Sequence, residues 1–526
     1  MYSLYVVLLM LLPICYRWRR LVTVTNPLWL VLQRVLITVI AAAPVFLGAP
    51  MDGLEYEDSY IHKSAARYQL AHGEDPSEGF FVRTCVAGSI SRCRVASSFG
   101  THVVGFSALI SGIARFIGYS ARLGNVLSGV CWLVTVHCLW SLLKAHVAHP
   151  FARIVGLGVF LCAPAMYVIS GSGFAEPLFG ALMIFCVWQF MNPANIEKER
   201  WMAGARLAMW SVSLMLLALS KKEGLLFIGL VTVWGVIQAW RKRADGEGRA
   251  QSYLWAGGSI AALLISVGMF DLLEAASRHS RDIGQAAFNL RFIPRTVVPL
   301  LGAGVTPAFF GVAWIAFGLS LILVNRCRDA RITLVGVIVL GYLFLYLIHA
   351  RHYWFTAGQD VQAVEMVRYL YALTAPACLF TASIISTLFP RLLSQSRPNV
   401  AALGRCGVVF ALTIGLLGAQ MRALAMQADV ARDEMISWRN SLKVIASSGI
   451  ESNVFISSRT AALYAYVDDR VELVDFVALE DPRLRTTLTQ LKSERQFVFL
   501  DSGMCFDVAV RSRWAQACET SRSLAE

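Results

Sequence analysis

The sequence predicts an α-helical polytopic membrane protein with about 11–13 transmembrane helices and a small C-terminal extracytoplasmic α/β domain. Three observations predict this fold class. Of 526 residues, 57% are hydrophobic and 15% are charged, whereas soluble domains carry charge on about a quarter of their residues. The apolar residues are collected in runs of roughly 16–22 residues, the length that crosses a bilayer. After residue 421 the chain becomes polar and loses these runs.

The apolar runs define a dozen candidate spans. The first run lacks a positive leader region and a small-residue cleavage site, so we interpret it as a retained span rather than a signal peptide. The approximate limits are 1–16, 27–48, 122–143, 153–170, 174–191, 205–220, 224–240, 253–270, 308–325, 332–348, 369–389 and 404–421. Residues 1–421 would then form the transmembrane domain.

The basic residues orient these spans. The net charge is +13, but the basic residues lie in short connectors, not in a stripe interleaved with aromatic residues, which argues against a nucleic-acid partner. Four basic connectors fall on one side, which is therefore cytoplasmic. They contain Arg17, Arg19 and Arg20; Arg241, Lys242, Arg243 and Arg249; Arg326, Arg328 and Arg331; and Arg391, Arg397 and Arg405. This map predicts a plasma-membrane or inner-membrane protein with residues 49–121 and 422–526 on the outer face.

The C-terminal segment 422–526 predicts a small α/β domain. Short apolar runs at 453–457, 471–476 and 496–501 suit strands, and residues 433–447 and 483–493 suit helices. Strands that alternate with helices are typical of an α/β domain.

Four of the 12 cysteines fall in outward aqueous segments and form two local pairs. Because an oxidising compartment permits disulfides, we expect bridges Cys85–Cys93 and Cys505–Cys518.

A cluster of acids follows the second span. Glu55, Glu57 and Asp58 lie within four positions, and carboxylates are costly where a chain leaves a bilayer. A helix is predicted from Asp58 through His72, and Asp58 alone could be an N-cap of this helix. Helix spacing places Asp58 with His62, and Lys63 with Arg67.

Further charges recur on the same outer face. Each has an alternative interpretation, since Lys and Arg at span ends extend to lipid headgroups. Together they predict an outward cavity suited to an anionic, lipid-linked substrate. They are Glu176 in the loop 170–177, Lys221, Lys222 and Glu223 in the sequence KKEG, and His349, Arg351, His352, Arg368 and Tyr369 near late spans.

Four short motifs resemble those of GT-C glycosyltransferases, polytopic enzymes that use polyprenyl-phosphate sugars. This superfamily includes the dolichyl-phosphate-mannose-protein mannosyltransferases and the aminoarabinose and arabinofuranosyl transferases. The resemblance covers about residues 27–421, and the motifs occur in the family's order. They are Glu57-Asp58-Ser59-Tyr60-Ile61 continuing to Ala71-His72-Gly73, Phe174-Ala175-Glu176-Pro177-Leu178, Leu219-Ser220-Lys221-Lys222-Glu223-Gly224, and Arg368-Tyr369-Leu370.

The resemblance implies an inverting transfer of a hexosyl or pentosyl group from a polyprenyl-phosphate donor to a hydroxyl of a glycan, lipid or protein. It implies Glu57 or Asp58 as the base; family alignment points to Glu57. The chain departs from the family pattern, since Glu57 stands where Asp is usual and Lys222 stands where Pro is usual. The implied substrate-binding residues are Tyr60, Lys63, Arg67, Glu176, Lys222, Glu223, Arg351, Arg368 and Tyr369.

Three alternatives stay open at this stage. No cofactor is assigned, since two acids suit a reaction with or without a divalent cation. A lipid-linked oligosaccharide ligase or polymerase, or a transporter, would also be polytopic with outward charges. Residues 101–117 are expected to form an interfacial helix on the outer face; they would instead form a true span if residues 1–16 did not cross the membrane.

Overall fold

The fold was analysed in a computed structural model of the chain. The residues that the structure describes are 27–48, 57–72, 105–192, 200–241, 249–276, 290–294, 296–297, 309–310, 312–326, 329–348, 360–394, 398–448, 453–457, 463–464, 466–467, 471–480, 482–500, 505–506 and 515–525.

Helices occupy the predicted spans from residue 27 onward. The predicted span 1–16 lies outside the described residues. In chain order, the α-helices that the structure describes in the first 450 residues are α1 (Pro27–Gly48), α2 (Glu57–His72), α3 (Gly105–Ile117), α4 (Leu123–His146), α5 (Pro150–Leu161), α6 (Pro164–Gly171), α7 (Glu176–Met191), α8 (Arg200–Ser220), α9 (Gly224–Arg241), α10 (Arg249–Ala276), α11 (Ala313–Ile322), α12 (Ala330–Ile348), α13 (Asp360–Ser394) and α14 (Pro398–Ser447).

The chain is a multi-pass membrane protein. Within the described ranges, segments of α4, α12, α13 and α14 are each long and apolar enough to cross a bilayer, and the bent pair α5–α6 adds a fifth candidate. Seven shorter apolar helical segments accompany them, including most of α1, α7, α8 and α9. Helix α3 has 13 residues, about 20 Å, which is less than the thickness of the hydrocarbon core. Its predicted place at the membrane interface stays a prediction.

The predicted span 153–170 is two helices, not one. Helices α5 and α6 meet at an angle of 56°, because Pro164 begins α6 and proline cannot continue an α-helix. New partners satisfy the backbone groups near the break, as an apolar environment requires. The Ala165 amide donates to the Phe309 carbonyl at 2.8 Å, and the Tyr167 hydroxyl donates to the Leu161 carbonyl at 2.7 Å.

Helices α7 and α13 lie at the centre of the helical bundle. Nearly every residue of α7 is buried, and small residues let its neighbours approach, as is usual where membrane helices pack. A Cβ atom added to Gly180 would lie 3.0 Å from the Tyr371 ring of α13, and one added to Gly336 of α12 would lie 2.8 Å from Phe380. This close packing fixes the helix ends that carry the charged residues.

The C-terminal segment contains the expected α/β structure. Strands β1 (Asn453–Ser457), β2 (Glu472–Asp475) and β3 (Gln496–Phe499) form a parallel sheet in the order β2-β1-β3. Helices α15 (Pro482–Leu491) and α16 (Ala515–Ala525) supply residues to the core on one face. Helix α14 continues through residue 422, so the division of the chain into domains at that position stays a prediction.

The disulfide predictions have two outcomes. The Cys505–Cys518 bridge is confirmed, and it links the short segment after β3 to α16. Cys85 and Cys93 lie outside the described residues.

Candidate functional site

The two predicted acids begin helix α2. Glu57 and Asp58 are its first two residues, where carboxylates interact favourably with the helix dipole. Asp58 therefore lies inside the first turn rather than at the N-cap, within the usual uncertainty of a helix boundary. The structure describes the backbone of Glu57 and Asp58 but not their side chains, and Glu55 lies outside the described residues.

Lys63 is completely buried, although it lies only six residues after Glu57. Its side chain packs against two glycines, and Gly173 has a φ of 67°. A Cβ atom on Gly173 would lie 3.0 Å from Cε of Lys63, and one on Gly124 would lie 3.1 Å from the same atom. The Lys63 Nζ atom is 5.8 Å from the centre of the Tyr60 ring. Glycine at these two positions therefore makes room for the lysine.

Helix α2 also contacts α3 and the C-terminal segment. His62 Nδ1 lies 3.2 Å from Ser107 Oγ of α3. Arg67 donates a hydrogen bond of 2.6 Å to the Tyr464 carbonyl. The side chain of Asp58 lies outside the described part of the chain, so the pairs expected from helix spacing, Asp58 with His62 and Lys63 with Arg67, stay predictions.

The loop between α6 and α7 connects Lys63 to the next charged group. Two polar side chains of α4 hold this loop: Asn125 Nδ2 donates to the Gly171 carbonyl and Ser128 Oγ to the Phe174 carbonyl, both at 2.9 Å. The Arg368 guanidinium lies 5.2 Å from the Phe174 ring. One short loop therefore contacts Lys63 through Gly173 and Arg368 through Phe174.

A buried ion cluster lies beyond this loop. Lys221 Nζ is 2.8 Å from Glu176 Oε1, and Arg368 Nε is 3.6 Å from the same oxygen. Arg368 is 4% exposed, so solvent screens these charges little. The Tyr369 ring lies under both cations, 4.6 Å from Lys221 Nζ and 5.2 Å from the Arg368 guanidinium carbon. Three distant segments of the chain meet at Glu176.

The charge state of Lys221 follows from its neighbours. Burial alone would lower the pKa of Lys221, but the carboxylates of Glu176 and Glu223 outweigh burial and raise that pKa. The amine therefore stays protonated at neutral pH. A protonated lysine beside an arginine is the arrangement that stabilises a phosphate group.

Of the predicted lysine pair, the structure places Lys221 in the ion cluster. Lys222, the residue predicted to bind substrate, is half-buried in the turn. Glu223 contributes its carbonyl, which accepts a 2.7 Å hydrogen bond from the Tyr342 hydroxyl. Sequence reasoning also missed Asn125, Ser128 and Gly173, and only the glycine-rich sequence SGSG hinted at the last of these.

The other predicted site residues that the structure describes form two groups, and one predicted residue is not described. Arg351 lies outside the described residues. Tyr60, Lys63 and Arg67 lie on α2, and Glu176, Arg368 and Tyr369 lie around the ion cluster.

Among the described residues, no group of three or more His, Cys, Asp or Glu residues could hold a metal ion. The carboxylates of Glu57 and Asp58 are not among these described groups.

The fold is shared with solved structures of glycosyltransferases. ArnT from Cupriavidus metallidurans bound to undecaprenyl phosphate has a TM-score of 0.57 and 12% identity, with 91% of each chain covered. The archaeal oligosaccharyltransferase AglB from Archaeoglobus fulgidus, in complex with an inhibitory peptide and a dolichol-phosphate, has a TM-score of 0.52 and 11% identity. That match covers 94% of this chain and 72% of AglB. No protein-family model and no curated protein matches the chain.

At these identities the likeness concerns the fold. The GT-C fold expected from the sequence motifs is therefore confirmed, together with the small C-terminal sheet.

Proposed function

We propose that this protein is a membrane glycosyltransferase that moves a monosaccharide from a polyprenyl-phosphate donor to a hydroxyl acceptor with inversion. The observation that carries the proposal is that a single loop, between α6 and α7, contacts both α2 and the ion cluster. Lys63 packs against Gly173, and Phe174 of the same loop lies beside Arg368. The helix that begins with two acids thus reaches the cations suited to a lipid phosphate.

The likeness to other proteins supports the donor class. The ArnT structure holds undecaprenyl phosphate and the AglB structure holds a dolichol-phosphate, both polyprenyl monophosphates. A donor of this class leaves a phosphate monoester on the lipid after transfer. Its developing negative charge needs preorganised cations in a site with little water.

The proposed reaction is a single displacement. The carboxylate of Glu57, or alternatively Asp58, takes the proton of the acceptor hydroxyl. The acceptor oxygen forms a bond to the anomeric carbon as the bond from that carbon to the phosphate oxygen breaks. The electron pair leaves with the polyprenyl phosphate. Lys221 and Arg368 stabilise the departing phosphate, with Lys63 as a further cation on the acid side.

The proposed site faces away from the cytoplasm. Basic connectors between the spans mark the opposite side as cytoplasmic. Nucleotide sugars are made and kept in the cytoplasm, so an outward site favours a lipid-borne donor. The acceptor is then a hydroxyl of an envelope glycan, a lipid or a protein.

An oligosaccharide transferase is the second candidate, favoured by the likeness to AglB. That likeness has a lower TM-score and leaves more than a quarter of AglB without a counterpart here. The ArnT likeness extends over nine-tenths of both chains. We therefore propose monosaccharide transfer.

Carboxylate substitutions test the base assignment. In a transfer assay with purified protein, Glu57→Gln or Asp58→Asn should lower kcat by at least about 100-fold, since general-base catalysis contributes that much. Glu55→Gln is the matched control, because it removes a neighbouring acid that has no role in the proposal; it should keep the wild-type rate. Wild-type rates in both Glu57→Gln and Asp58→Asn would contradict the base assignment.

A further inference from the structure

The C-terminal sheet touches the helix that carries the acid pair. The segment after β1 contributes Tyr464 and Tyr466, and α2 contributes Tyr60 and Arg67. Arg67 donates its 2.6 Å hydrogen bond to the Tyr464 carbonyl, and its guanidinium lies 5.0 Å from the Tyr464 ring. The Tyr60 and Tyr466 rings meet edge to face at 6.0 Å. Two turns of α2 are therefore held from the same side.

These contacts belong to the core of the C-terminal sheet. Alternate residues of β1 point to opposite faces, so Val454 and Ile456 pack in one cluster and Phe455 packs in the other. The second cluster contains Tyr60, which is 1% exposed, together with Ile445 of α14. Because a parallel sheet needs cover on both faces, α2 completes the fold of this sheet.

We propose that Tyr464 and Tyr466 are positioning residues that fix α2 and so set the place of the acid pair. This inference rests on the proposed function, in which Glu57 or Asp58 is the base. Tyr60 lies three residues after Glu57, on the same face of the helix. Arg67 lies ten residues after Glu57, about 15 Å along the helix axis. Two anchors on one rigid helix fix both its tilt and its rotation.

This role has a specific kinetic consequence. A displacement of about 1 Å in a catalytic group costs on the order of 100-fold in rate. The anchors act on α2, which carries the base and Lys63, and not on Lys221 or Arg368, the two cations that lie against Glu176 and supply most of the phosphate contact in the proposed function. Loss of the anchors should therefore lower kcat and leave donor binding unchanged.

The test uses Tyr464→Ala and Tyr466→Ala in the full-length protein, with Tyr464→Phe and Tyr466→Phe as matched controls that keep each ring. Hydrogen exchange of residues 57–72 should become faster in the alanine variants. Their kcat should fall about 10- to 100-fold, and the Kd for polyprenyl monophosphate should stay within about twofold. Both phenylalanine variants should behave as the wild type.

Three results would overturn the inference. One is unchanged exchange of α2 with an unchanged kcat in both alanine variants. Another is an equal loss in the phenylalanine and alanine variants. The third is faster exchange throughout the protein with loss of lipid binding, which indicates general unfolding. The exchange measurement needs no substrate, so it decides the inference even if the wild-type protein transfers no sugar and the proposed function fails.

Discussion

Two apolar helical segments of similar length and hydropathy differ in how far they are buried in the protein. Arg368–Leu388 of α13 and Cys406–Gln427 of α14 have 21 and 22 residues and similar mean hydropathy, yet an apolar 18-residue window is 89% buried in the first segment and 11% buried in the second. Hydropathy measures transfer out of water, and lipid and protein interior are both apolar. It therefore locates spans without telling a central helix from a peripheral one.

The residues of the ion cluster attach to the central helix. Arg368 and Tyr369 lie at the N-terminal end of the buried segment of α13, where α7 brings Glu176 against Arg368. The corresponding segment of α14 exposes large apolar residues such as Phe410, Ile414 and Leu417. The comparison thus separates residues that pack around the candidate site from residues on the exposed surface of the helical bundle, and substitutions can test this division.

Removal of the central carboxylate should have the largest effect. Glu176→Ala leaves Lys221 and Arg368 buried beside each other without that carboxylate. Loss of one partner of a buried ion pair costs about 3–5 kcal/mol. A detergent titration in mixed micelles would measure this loss in the free energy of unfolding.

The control for this substitution is Glu494→Ala, since Glu494 is exposed in the turn before β3. Its free energy of unfolding should stay within about 0.5 kcal/mol of the wild type. Equal effects of the two substitutions would show that the ion cluster does not stabilise the helical core.

A matched pair of leucines tests the division between the two helices next. Leu373 of α13 is 0% exposed, and Leu417 of α14 is 56% exposed. Leu373→Ala should cost about 2–5 kcal/mol, because it leaves a cavity among packed neighbours. Leu417→Ala should cost less than about 0.5 kcal/mol. Similar losses for both leucines in the same titration would mean that α14 packs against protein as closely as α13.

A pair of glycines should give smaller effects of opposite sign. A Cβ atom on Gly156 of α5 would lie 2.7 Å from the Ala382 Cβ of α13, whereas one on Gly418 of α14 has no atom within 4 Å among the described residues. Gly156→Ala should destabilise the protein by about 1–3 kcal/mol through overpacking. Gly418→Ala should be neutral or stabilise it by up to about 1 kcal/mol, because alanine favours a helix.

The thermal unfolding midpoints of the two variants would show directly which substitution destabilises the protein and which does not. A higher midpoint for Gly156→Ala than for Gly418→Ala would contradict the close contact of α5 with α13.

The sequence predicted those parts of the fold that local composition determines. Helices occupy the predicted spans from residue 27 onward, strand β1 has the predicted limits, and the Cys505–Cys518 bridge joins near neighbours in the chain. The break at Pro164 was missed because the runs on both sides of the proline are equally apolar.

The site was harder to predict because its contacts join distant segments. The sequence does not distinguish the adjacent Lys221 and Lys222. The conformation of the turn between α8 and α9 directs the Lys221 side chain to Glu176. Gly173 was missed because its importance depends on Lys63, which lies 110 positions earlier in the chain. The contact of the C-terminal sheet with α2 depends on residues almost 400 positions apart.

The proposed function requires the protein to consume a polyprenyl-monophosphate sugar. Its most direct test is the lipid product that the purified protein releases from such donors in the presence of envelope acceptors. We expect polyprenyl monophosphate in an amount equal to the monosaccharide transferred, and no release from the Glu57→Gln, Asp58→Asn double variant. Release of polyprenyl diphosphate from an oligosaccharide donor, with no reaction of the monophosphate sugars, would contradict it.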